Sequence, residues 1–372
     1  MLMSKKNERQ FRFSEKIYMY DKKSKKNKVF KIILIVLGVL LLLLGGFALF
    51  LLIAAYRPDD VTPLEFTQAS RELPKGEKLS IVTLNTGYAC LDETETFFMD
   101  DGEGVRPDSK EIVQENIDGI GRMLELLPAD FYFLQEVDND STRSYHLNQT
   151  NVYLPKTTTR IYAQNHLCKW IPYPLPMIGK VDSGLLMLTN YKVTSSERIS
   201  LPETKTGLEA LCYLKRCLQV SRTPIEGSDK ELVLINLHME AYTSDKARQK
   251  QLNVLWKILK EEQAKGNYVI AGGDFNTTFP NTTKKYPLHE GLWTPSSFTK
   301  KDVPEGYSFK FDKKAPTCRL TNIPFTDREN HPLYVIDGFI VSDNISVDSV
   351  ITLDFNFRYT DHNPVMMYFS LN

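Results

Sequence analysis

The sequence lacks several features that mark common classes of metal-binding and nucleotide-binding protein. It has only five cysteines in 372 residues, and none form a CxxC pair, so a structural zinc site is not expected. Their odd number leaves at least one free thiol. No GxxxxGKS or GxxxxGKT loop occurs, so the phosphate cradle of nucleoside-triphosphate enzymes is missing. The sequence has no internal repeat, and its 42 % hydrophobic and 25 % charged content is that of a globular protein.

The formal net charge of zero hides an uneven distribution of charge. Residues 1–31 contain eleven Lys and Arg and three Asp and Glu, a net charge of +8, so the remaining 341 residues carry −8. Non-specific binding to a nucleic acid depends on Lys and Arg side chains that displace counterions. The acidic body of the chain therefore disfavours a nucleic-acid substrate.

An uncharged apolar run extends from Ile32 to Tyr56, between Lys31 and Arg57. A bilayer core needs ~20 apolar residues in a helix, and the apolar part of a signal peptide is shorter, ~7–15 residues. The run, residues 32–56, is therefore predicted to be a single transmembrane helix in the cell membrane. Because basic residues precede it and an acidic segment follows it, residues 1–31 are expected to be a cytoplasmic tail and the rest extracellular.

The remainder of the chain divides into a short segment and one large domain. Residues 57–78 contain three prolines and many charges without an apolar period, and are interpreted as a linker. Residues 79–372 are predicted to form a single domain. Amphipathic spacing predicts helices over 109–127 and 245–263, with Ser109 as an N-cap and Gly266 as a C-cap residue. Seven apolar runs predict strands, and their order favours a mixed sheet with helices outside.

Six short segments place a polar side chain of the metal-binding or catalytic type at the end of a predicted strand. These residues are Asn85, Glu136, His238, Asp274 with Asn276, Asp337, and Asp361 with His362. Strand ends are rigid positions at which active sites are commonly built. A single carboxylate after a strand is usually only a turn residue, but six such segments in one chain indicate a shared site.

The side-chain types of these segments suit one chemistry. Several carboxylates with asparagine oxygens favour a hard cation such as Mg²⁺, Mn²⁺ or Ca²⁺ over zinc. Two histidines can exchange protons with a phosphoryl group near neutral pH. The sequence therefore predicts a metal-dependent hydrolase of phosphate esters.

The ordered motifs LNT, LQEVD, NLH, GGDFN, IDGFIVS and TDHNPV resemble those of the endonuclease/exonuclease/phosphatase superfamily. That group includes deoxyribonucleases, neutral sphingomyelinases and inositol-polyphosphate phosphatases. The resemblance covers residues 79–372, and GGDFN with the C-terminal DH pair is its most specific part. It implies an α/β fold, a four-layer sandwich of two packed mixed β-sheets flanked by helices.

The resemblance also implies a metal site. Glu136 would be the principal ligand of Mg²⁺, with Mn²⁺ as an alternative ion. Asn85 would lie beside it, and Asp361 would complete or bridge the ligand shell. When bound, the cation would polarise the phosphoryl oxygen and neutralise charge on the leaving oxygen.

The resemblance further implies roles for the other residues of the six segments. Asp274 would orient or deprotonate the attacking water, and Asn276 would hold a phosphate oxygen. His362 would contact the phosphate, with Asp337 hydrogen-bonded to its other ring nitrogen. His238 would be the second catalytic histidine, as in sphingomyelinase-like and deoxyribonuclease-like members.

Two further residues are candidate substrate contacts. Asn165 lies in the stretch RIYAQNHL, which resembles a segment that lines the cleft in some members of the superfamily. Arg216 in YLKRCL could reach a substrate phosphate. Ordinary packing explains Asn165 as well, and ordinary solvation explains Arg216 as well.

Three functions remain open at this level. The first is hydrolysis of a lipid headgroup or a small phosphorylated molecule, which the acidic body and a membrane anchor favour. The second is an extracellular nuclease acting on DNA or RNA. Gly87 stands where abasic-site enzymes carry an acidic residue, which argues against DNA repair. The third is a catalytically inactive binding module on the same fold. No obligate protein partner is inferred.

Overall fold

The computed structural model describes residues 5–372. The chain forms two compact units, one that ends at Ala54 and one that runs from Ala55 to Asn372. The first unit is a single helix, α1 (Lys5–Ala54), whose apolar part has a mean hydropathy of 3.1 and is long enough to cross a membrane. Its helical conformation also includes the described part of the basic tail. The apolar helix ends two residues before the predicted limit of 56.

Tyr56 belongs instead to the second unit. Its hydroxyl donates a hydrogen bond to the backbone carbonyl of Gln164 at 3.4 Å, and the guanidinium of Arg198 lies over its ring. The amphipathic tyrosine thus ends the apolar run in sequence, but it packs on the second unit rather than extending the helix.

The second unit contains three further helices and seventeen strands. The helices are α2 (Lys110–Glu125), α3 (Gly207–Cys212) and α4 (Asp245–Lys265), with single 3₁₀ turns at Gly87–Ala89 and Phe98–Asp100. The strands are β1 (Val61–Pro63), β2 (Leu79–Asn85), β3 (Phe131–Asp138), β4 (Thr159–Ile171), β5 (Gly179–Thr189), β6 (Ser195–Ser200), β7 (Cys217–Pro224), β8 (Glu231–His238), β9 (Tyr268–Asp274), β10 (Thr277–Thr278), β11 (Ser296–Ser297), β12 (Tyr307–Lys310), β13 (Cys318–Arg319), β14 (Leu333–Tyr334), β15 (Asp337–Ser342), β16 (Ile345–Thr352) and β17 (Val365–Leu371).

Most of these strands form two mixed sheets. The first has the order β1-β6-β7-β8-β9-β15-β12, and the second has the order β16-β17-β2-β3-β5-β4. Only β8 with β9 and β2 with β3 pair in parallel within these two sheets. In each sheet the parallel pair is central, and its strands read as nearly continuous apolar runs because both faces are covered.

Three apolar layers join the sheets and the helices. Between the sheets, Phe133 of β3 and Leu234 of β8 belong to one buried cluster. On the outer face of the second sheet, Leu134 packs in a cluster with Ile117 of α2, and Leu255 of α4 covers the first sheet. Burial of each such side chain stabilises the fold by about 1.5–3 kcal/mol. The predicted four-layer α/β sandwich is therefore confirmed.

Both predicted long helices are present with the predicted ends. The hydroxyl of Ser109 accepts a hydrogen bond from the backbone N–H of Ile112 at 3.4 Å, as an N-cap does. Gly266 ends α4 at φ 73, a left-handed conformation that glycine adopts without a steric penalty.

The segment 57–78 is not a free linker, and the prediction for it is corrected. Val61–Pro63 forms β1 and pairs antiparallel with Ser195–Ser200. Further along, Leu73 is completely buried in the core between the sheets. The prolines and charges of the segment concealed these contacts, because an edge strand needs only one hydrogen-bonding partner and tolerates proline.

Candidate active site

The two sheets bring the six polar segments to one end of the sandwich. Across the first sheet, His238 is in register with Asp274, and Asp274 is in register with Asp337. In the second sheet, Asn85 ends β2, and Glu136 lies near the end of the adjacent parallel strand β3. The carboxyl ends of parallel neighbours meet at the same edge of a sheet, which is why these side chains converge.

A carboxylate cluster lies at the centre of this end. The amide nitrogen of Asn85 donates to Glu136 Oε1 and to Asp274 Oδ2, at 3.1 Å in each case. Its amide oxygen accepts the N–H of Gly87. In this orientation Asn85 links the two carboxylates, and its role as a metal ligand stays a prediction. Asp361 is held from the other side by the hydroxyl of Thr360, which also bonds the carbonyl of Asn85.

His362 and Asp337 form a buried pair. His362 Nδ1 lies 2.9 Å from Asp337 Oδ2, so its Nε2 is turned toward Asp274, 3.8 Å from Oδ2. Burial alone would lower the pKa of His362. The negative charge of Asp337, with smaller contributions from Cys318 and Asp361, raises this pKa well above its ordinary value. The pair therefore carries a charged imidazolium at neutral pH.

His238 has the opposite electrostatic setting. Its Nε2 lies 3.5 Å from Asp274 Oδ2 and 3.7 Å from Glu136 Oε1. Burial lowers its pKa well below the ordinary value, and the positive charges of Arg216 and His362 lower it further. The site thus holds one neutral and one protonated histidine on either side of Asp274, the kind of separation that assigns different proton-transfer roles.

The backbone is strained at two of these residues. Glu136 has φ 54 and Asn276 has φ 48, in the left-handed region that non-glycine residues rarely adopt. Glu136 sits at an irregularity in the pairing of β3 with β5. The amide N–H of Asn276 donates to Asp274 Oδ1 at 2.8 Å, and its side chain donates to the carbonyl of Met239. Such strain clusters at functional sites, where surrounding contacts hold the side chains in position.

Gly87 explains the departure from the abasic-site pattern in physical terms. A Cβ atom at this position would lie 2.7 Å from Asp361 Oδ1 and 2.9 Å from the hydroxyl of Thr360. The residue also has φ 53. An acidic side chain here would collide with a carboxylate of the site, so the local structure requires glycine.

The carboxylates fit a divalent cation. Burial, and then the charge of Asp361, raises the pKa of Glu136 to about 7. Burial, and then the charge of Asp337, raises the pKa of Asp274 to about 7. Burial likewise raises the pKa of Asp361. These shifts reflect acidic oxygens crowded without a compensating positive charge, and a cation would relieve that repulsion.

A second geometric grouping involves Asp274, Asp337 and His362, whose ligand atoms lie within 4.8 Å of one another. Asp337 already accepts a hydrogen bond from His362, so this group is better explained as a hydrogen-bonded catalytic set. Glu136 and Asp361, which have no such histidine partner among the described residues, are better placed to bind the cation.

The cluster forms the floor of a cleft with an empty volume of about 1000 Å³. One wall is apolar and includes Leu91, Phe97, Phe98, Met99, Ile178 and Trp293. The opposite wall is polar and contributes Tyr88, Arg143, Tyr242 and His166. Of these, only His166 was considered from sequence. The others follow no motif, because they come from loops and turns that the fold alone brings together.

The arginines of the cleft are engaged in internal contacts. Arg143 forms two hydrogen bonds to Asp138, the shorter at 2.9 Å, and its guanidinium lies 3.2 Å from the centre of the Tyr88 ring. Arg216 bonds Glu240 at 3.2 Å and the carbonyl of His238 at 3.2 Å. The predicted substrate residue Arg216 therefore lines the cleft with its charge already paired.

Asn165 lies at a bulge between β4 and β5 and is buried. Its backbone carbonyl accepts the N–H of Lys215. The neighbouring His166 lines the cleft, whereas Asn165 does not. The alternation of side chains along a strand accounts for the difference, and a substrate contact by Asn165 stays a prediction.

Comparison with known proteins agrees with this geometry. The model of the Endonuclease/Exonuclease/phosphatase family matches residues 113–362, more than half of the chain. The chain belongs to this family. The matched range includes every residue of the site from Glu136 to His362, and Asn85 precedes it. Members of the family are generally phosphoester hydrolases that use divalent metals. No curated protein matches the chain.

Solved structures share the fold at low sequence identity. An endonuclease/exonuclease/phosphatase from Beutenbergia cavernae is 16 % identical over 79 % of this chain and 72 % of its own, with a TM-score of 0.57. A humanized TDP2 from D. rerio is 16 % identical over 79 % of this chain and 99 % of its own, with a TM-score of 0.49. A Bacteroides vulgatus family member is 17 % identical, covers 80 % and 100 %, and has a TM-score of 0.47.

Proposed function

We propose that this protein hydrolyses a phosphate ester by Mg²⁺-assisted attack of water, on a lipid headgroup or a small phosphorylated molecule. The observation that carries the proposal is the buried cluster of carboxylates between two histidines of opposite protonation state. A binding module has no use for such a costly arrangement, because each buried charge without a partner destabilises the fold.

The donor set of Glu136, Asp361 and Asn85 would hold the cation, with Mn²⁺ as the alternative ion. Mg²⁺ prefers oxygen ligands, and the set contains no thiolate or imidazole. When bound, the cation supplies charge neutralisation at the phosphoryl and leaving-group oxygens. Asn85 in its observed orientation would turn its amide oxygen toward the cation by a rotation of the side-chain amide.

The remaining residues position and protonate the reactants. Asp274 accepts a hydrogen bond from the attacking water, and Asn276 Nδ2 is available to a phosphate oxygen nearby. His362, kept protonated by Asp337, donates from Nε2 to a phosphoryl oxygen as negative charge develops there. Neutral His238 donates or accepts a hydrogen bond without adding charge. Fixed donors of this kind act electrostatically in a site that excludes water.

The walls of the cleft support a substrate with an apolar portion. Aromatic and aliphatic side chains such as Phe97, Phe98 and Trp293 face the carboxylate cluster and would contact an acyl chain or another apolar leaving group. A nucleic acid would need free basic side chains for its successive phosphates. Arg143 and Arg216 are instead bound to Asp138 and Glu240, and the body of the chain is acidic.

The proposed location is the outer face of the cell membrane. The apolar helix is long enough to span a bilayer, and the basic residues before it favour a cytoplasmic N-terminus. A tether of this kind raises the effective concentration of a membrane-bound substrate at the site.

A substrate panel tests this function. The full chain in detergent micelles with Mg²⁺ would be assayed against sphingomyelin, phosphoinositides, plasmid DNA and phosphomonoesters, with His362→Ala as the inactive control. The proposal expects the fastest turnover on a lipid or small phosphoester, lost in the variant. Much faster cleavage of plasmid DNA would replace it with the nuclease function, and no turnover on any substrate would favour an inactive module.

A further inference from the structure

The hairpin formed by β4 and β5 carries an unusual apolar surface. Its connecting segment, residues 170–178, reads WIPYPLPMI and is called here the apolar tip. Within it the exposed fractions are 39 % for Trp170, 73 % for Tyr173, 78 % for Leu175 and 42 % for Met177. Four large apolar side chains are thus exposed within eight consecutive residues.

The rest of the second unit shows no comparable patch among its described residues. Its other exposed large apolar side chains, such as Leu126, Leu208 and Ile351, are separated from one another along the chain. Single exposed apolar residues are normal on a protein surface, whereas a contiguous group marks a site of interaction. The apolar tip therefore calls for a partner.

The apolar tip lies at the active-site end of the sandwich. Asp138, near which the carboxylate cluster is built, is in register with Ser183, and Ser183 is in register with His166. Strand β4 continues past His166 to Ile171 before the chain turns. Ile171 and Ile178, at the two ends of the turn, also line the catalytic cleft. The tip is consequently continuous with the mouth of the cleft.

The beginning of the second unit lies at the same end. Val61 of β1 is in register with Ile199, Ile199 with Leu218, and Leu218 with Leu237, the residue before His238. The chain that follows the apolar helix therefore enters the folded unit on the side where the catalytic histidine and the apolar tip are found.

We propose that the apolar tip inserts into the interface of a phospholipid bilayer. Trp and Tyr are favoured at that interface because they combine an apolar ring with a polar atom. The adjacent Lys169 is exposed and suits anionic headgroups. This inference rests on the proposed membrane anchoring of the chain but not on its catalytic activity. Insertion would hold the mouth of the cleft at the level of the headgroups, which identifies a membrane lipid as the substrate class.

Tryptophan fluorescence gives a direct test in the full chain. The sequence has three tryptophans, Trp170, Trp256 and Trp293, and none lies in the apolar helix. The chain would be reconstituted in vesicles of phosphatidylcholine and phosphatidylglycerol with brominated acyl chains, which quench tryptophans inserted among them. We expect emission from Trp170 to fall about twofold relative to unbrominated vesicles, as an interfacial position predicts. Trp170→Phe should abolish most of this quenching.

Matched variants separate the tip from general surface effects. Tyr173→Ser with Leu175→Ser should reduce the quenching of Trp170, whereas Leu126→Ser with Ile351→Ser, equally exposed but far along the chain, should not. All variants stay in the vesicles through their apolar helix, so a change reports on the tip and not on retention. Far-ultraviolet circular dichroism checks that each variant is folded.

Two results would overturn the proposal. One is quenching that does not change in Trp170→Phe. The other is a Trp170 that is shielded both from brominated lipid and from aqueous iodide, which would indicate contact with a second protein surface, such as another copy of this chain. The measurement needs no substrate, and His362→Ala should be quenched like the wild type. Failure of the proposed enzymatic function therefore leaves this test intact.

Discussion

At the scale of single residues, the proposed chemistry depends on two histidines with opposite charge. His238→Ala and His362→Ala should each lower kcat about 10²–10⁴-fold, the range typical of lost acid–base or electrostatic groups. The exposed His146→Ala is the matched control and should leave the rate unchanged. Steady-state kinetics on the substrate found in the panel measures all three. Near wild-type turnover by either site variant, with the fold intact, would remove the role assigned to it.

The pairing of His362 with Asp337 predicts the pH dependence of the rate. Asp337 raises the pKa of His362 well above its usual value, and the proposed donor is the protonated form. Activity should therefore persist up to an alkaline limb and decline as pH rises through that pKa. Asp337→Asn removes the charge, so the alkaline limb should move to lower pH and kcat should fall. The exposed Asp348→Asn should move neither, and an unshifted limb in Asp337→Asn would contradict the assignment.

The sequence identified the residues on strand ends but not those that surround them. Asn85, Glu136, His238 and Asp274 follow apolar runs, and the register of parallel strands explains why they meet. Arg143 lies in a loop with no motif of its own. Its place in the cleft depends on the pairing with Asp138 and on the turn that carries Tyr88. Contacts of this kind arise only once distant loops are packed together.

At the scale of elements, α4 is fastened to the first sheet by a buried carboxylate. Glu262 accepts hydrogen bonds from Arg222 of β7 and from Asn267, at 2.7 Å in each case. Burial opposes its charge, but these partners and Lys265 lower the pKa of Glu262 to about 2. The helix is thus held by charge as well as by its apolar face.

Glu262→Gln should destabilise the fold. The loss of charge-assisted hydrogen bonds should lower the free energy of unfolding by about 1.5–3 kcal/mol at neutral pH. The exposed neighbour Glu261→Gln is the control and should change it by less than about 0.5 kcal/mol. Because the folded pKa is depressed, the stabilisation is present above the ordinary pKa of glutamate and is lost as pH falls toward 2. Urea unfolding should show the difference between wild type and Glu262→Gln shrinking over that range.

Element prediction succeeded where one physical signal dominated. Amphipathic spacing with a capping serine or a terminal glycine defined α2 and α4. It missed β6, which reads SSERIS, because that strand lies near the edge of its sheet and carries few apolar side chains. It also assigned Val61–Pro63 to a linker, since a three-residue strand leaves no periodic pattern. Edge strands depend on backbone pairing, which sequence patterns do not report.

At the scale of the whole molecule, the proposed topology can be tested on intact cells. A protease added outside should release the catalytic domain, whereas the basic N-terminal segment should stay protected until the membrane is opened. An epitope tag at each end would follow both parts by immunoblot. A catalytic domain that stays protected while a known extracellular protein is cleaved would reverse the orientation and point to cytoplasmic substrates.

The central claim is that buried carboxylates bind a hard divalent cation and that hydrolysis depends on it. The most direct measurement is the rate of phosphoester hydrolysis by the full chain after removal of divalent ions with EDTA, then with Mg²⁺ restored. We predict loss of the rate in EDTA, recovery with Mg²⁺, and no loss when only zinc is chelated. Glu136→Gln should need more Mg²⁺ and recover little, because an amide binds the cation more weakly than a carboxylate. Full activity in EDTA would contradict the metal-dependent mechanism.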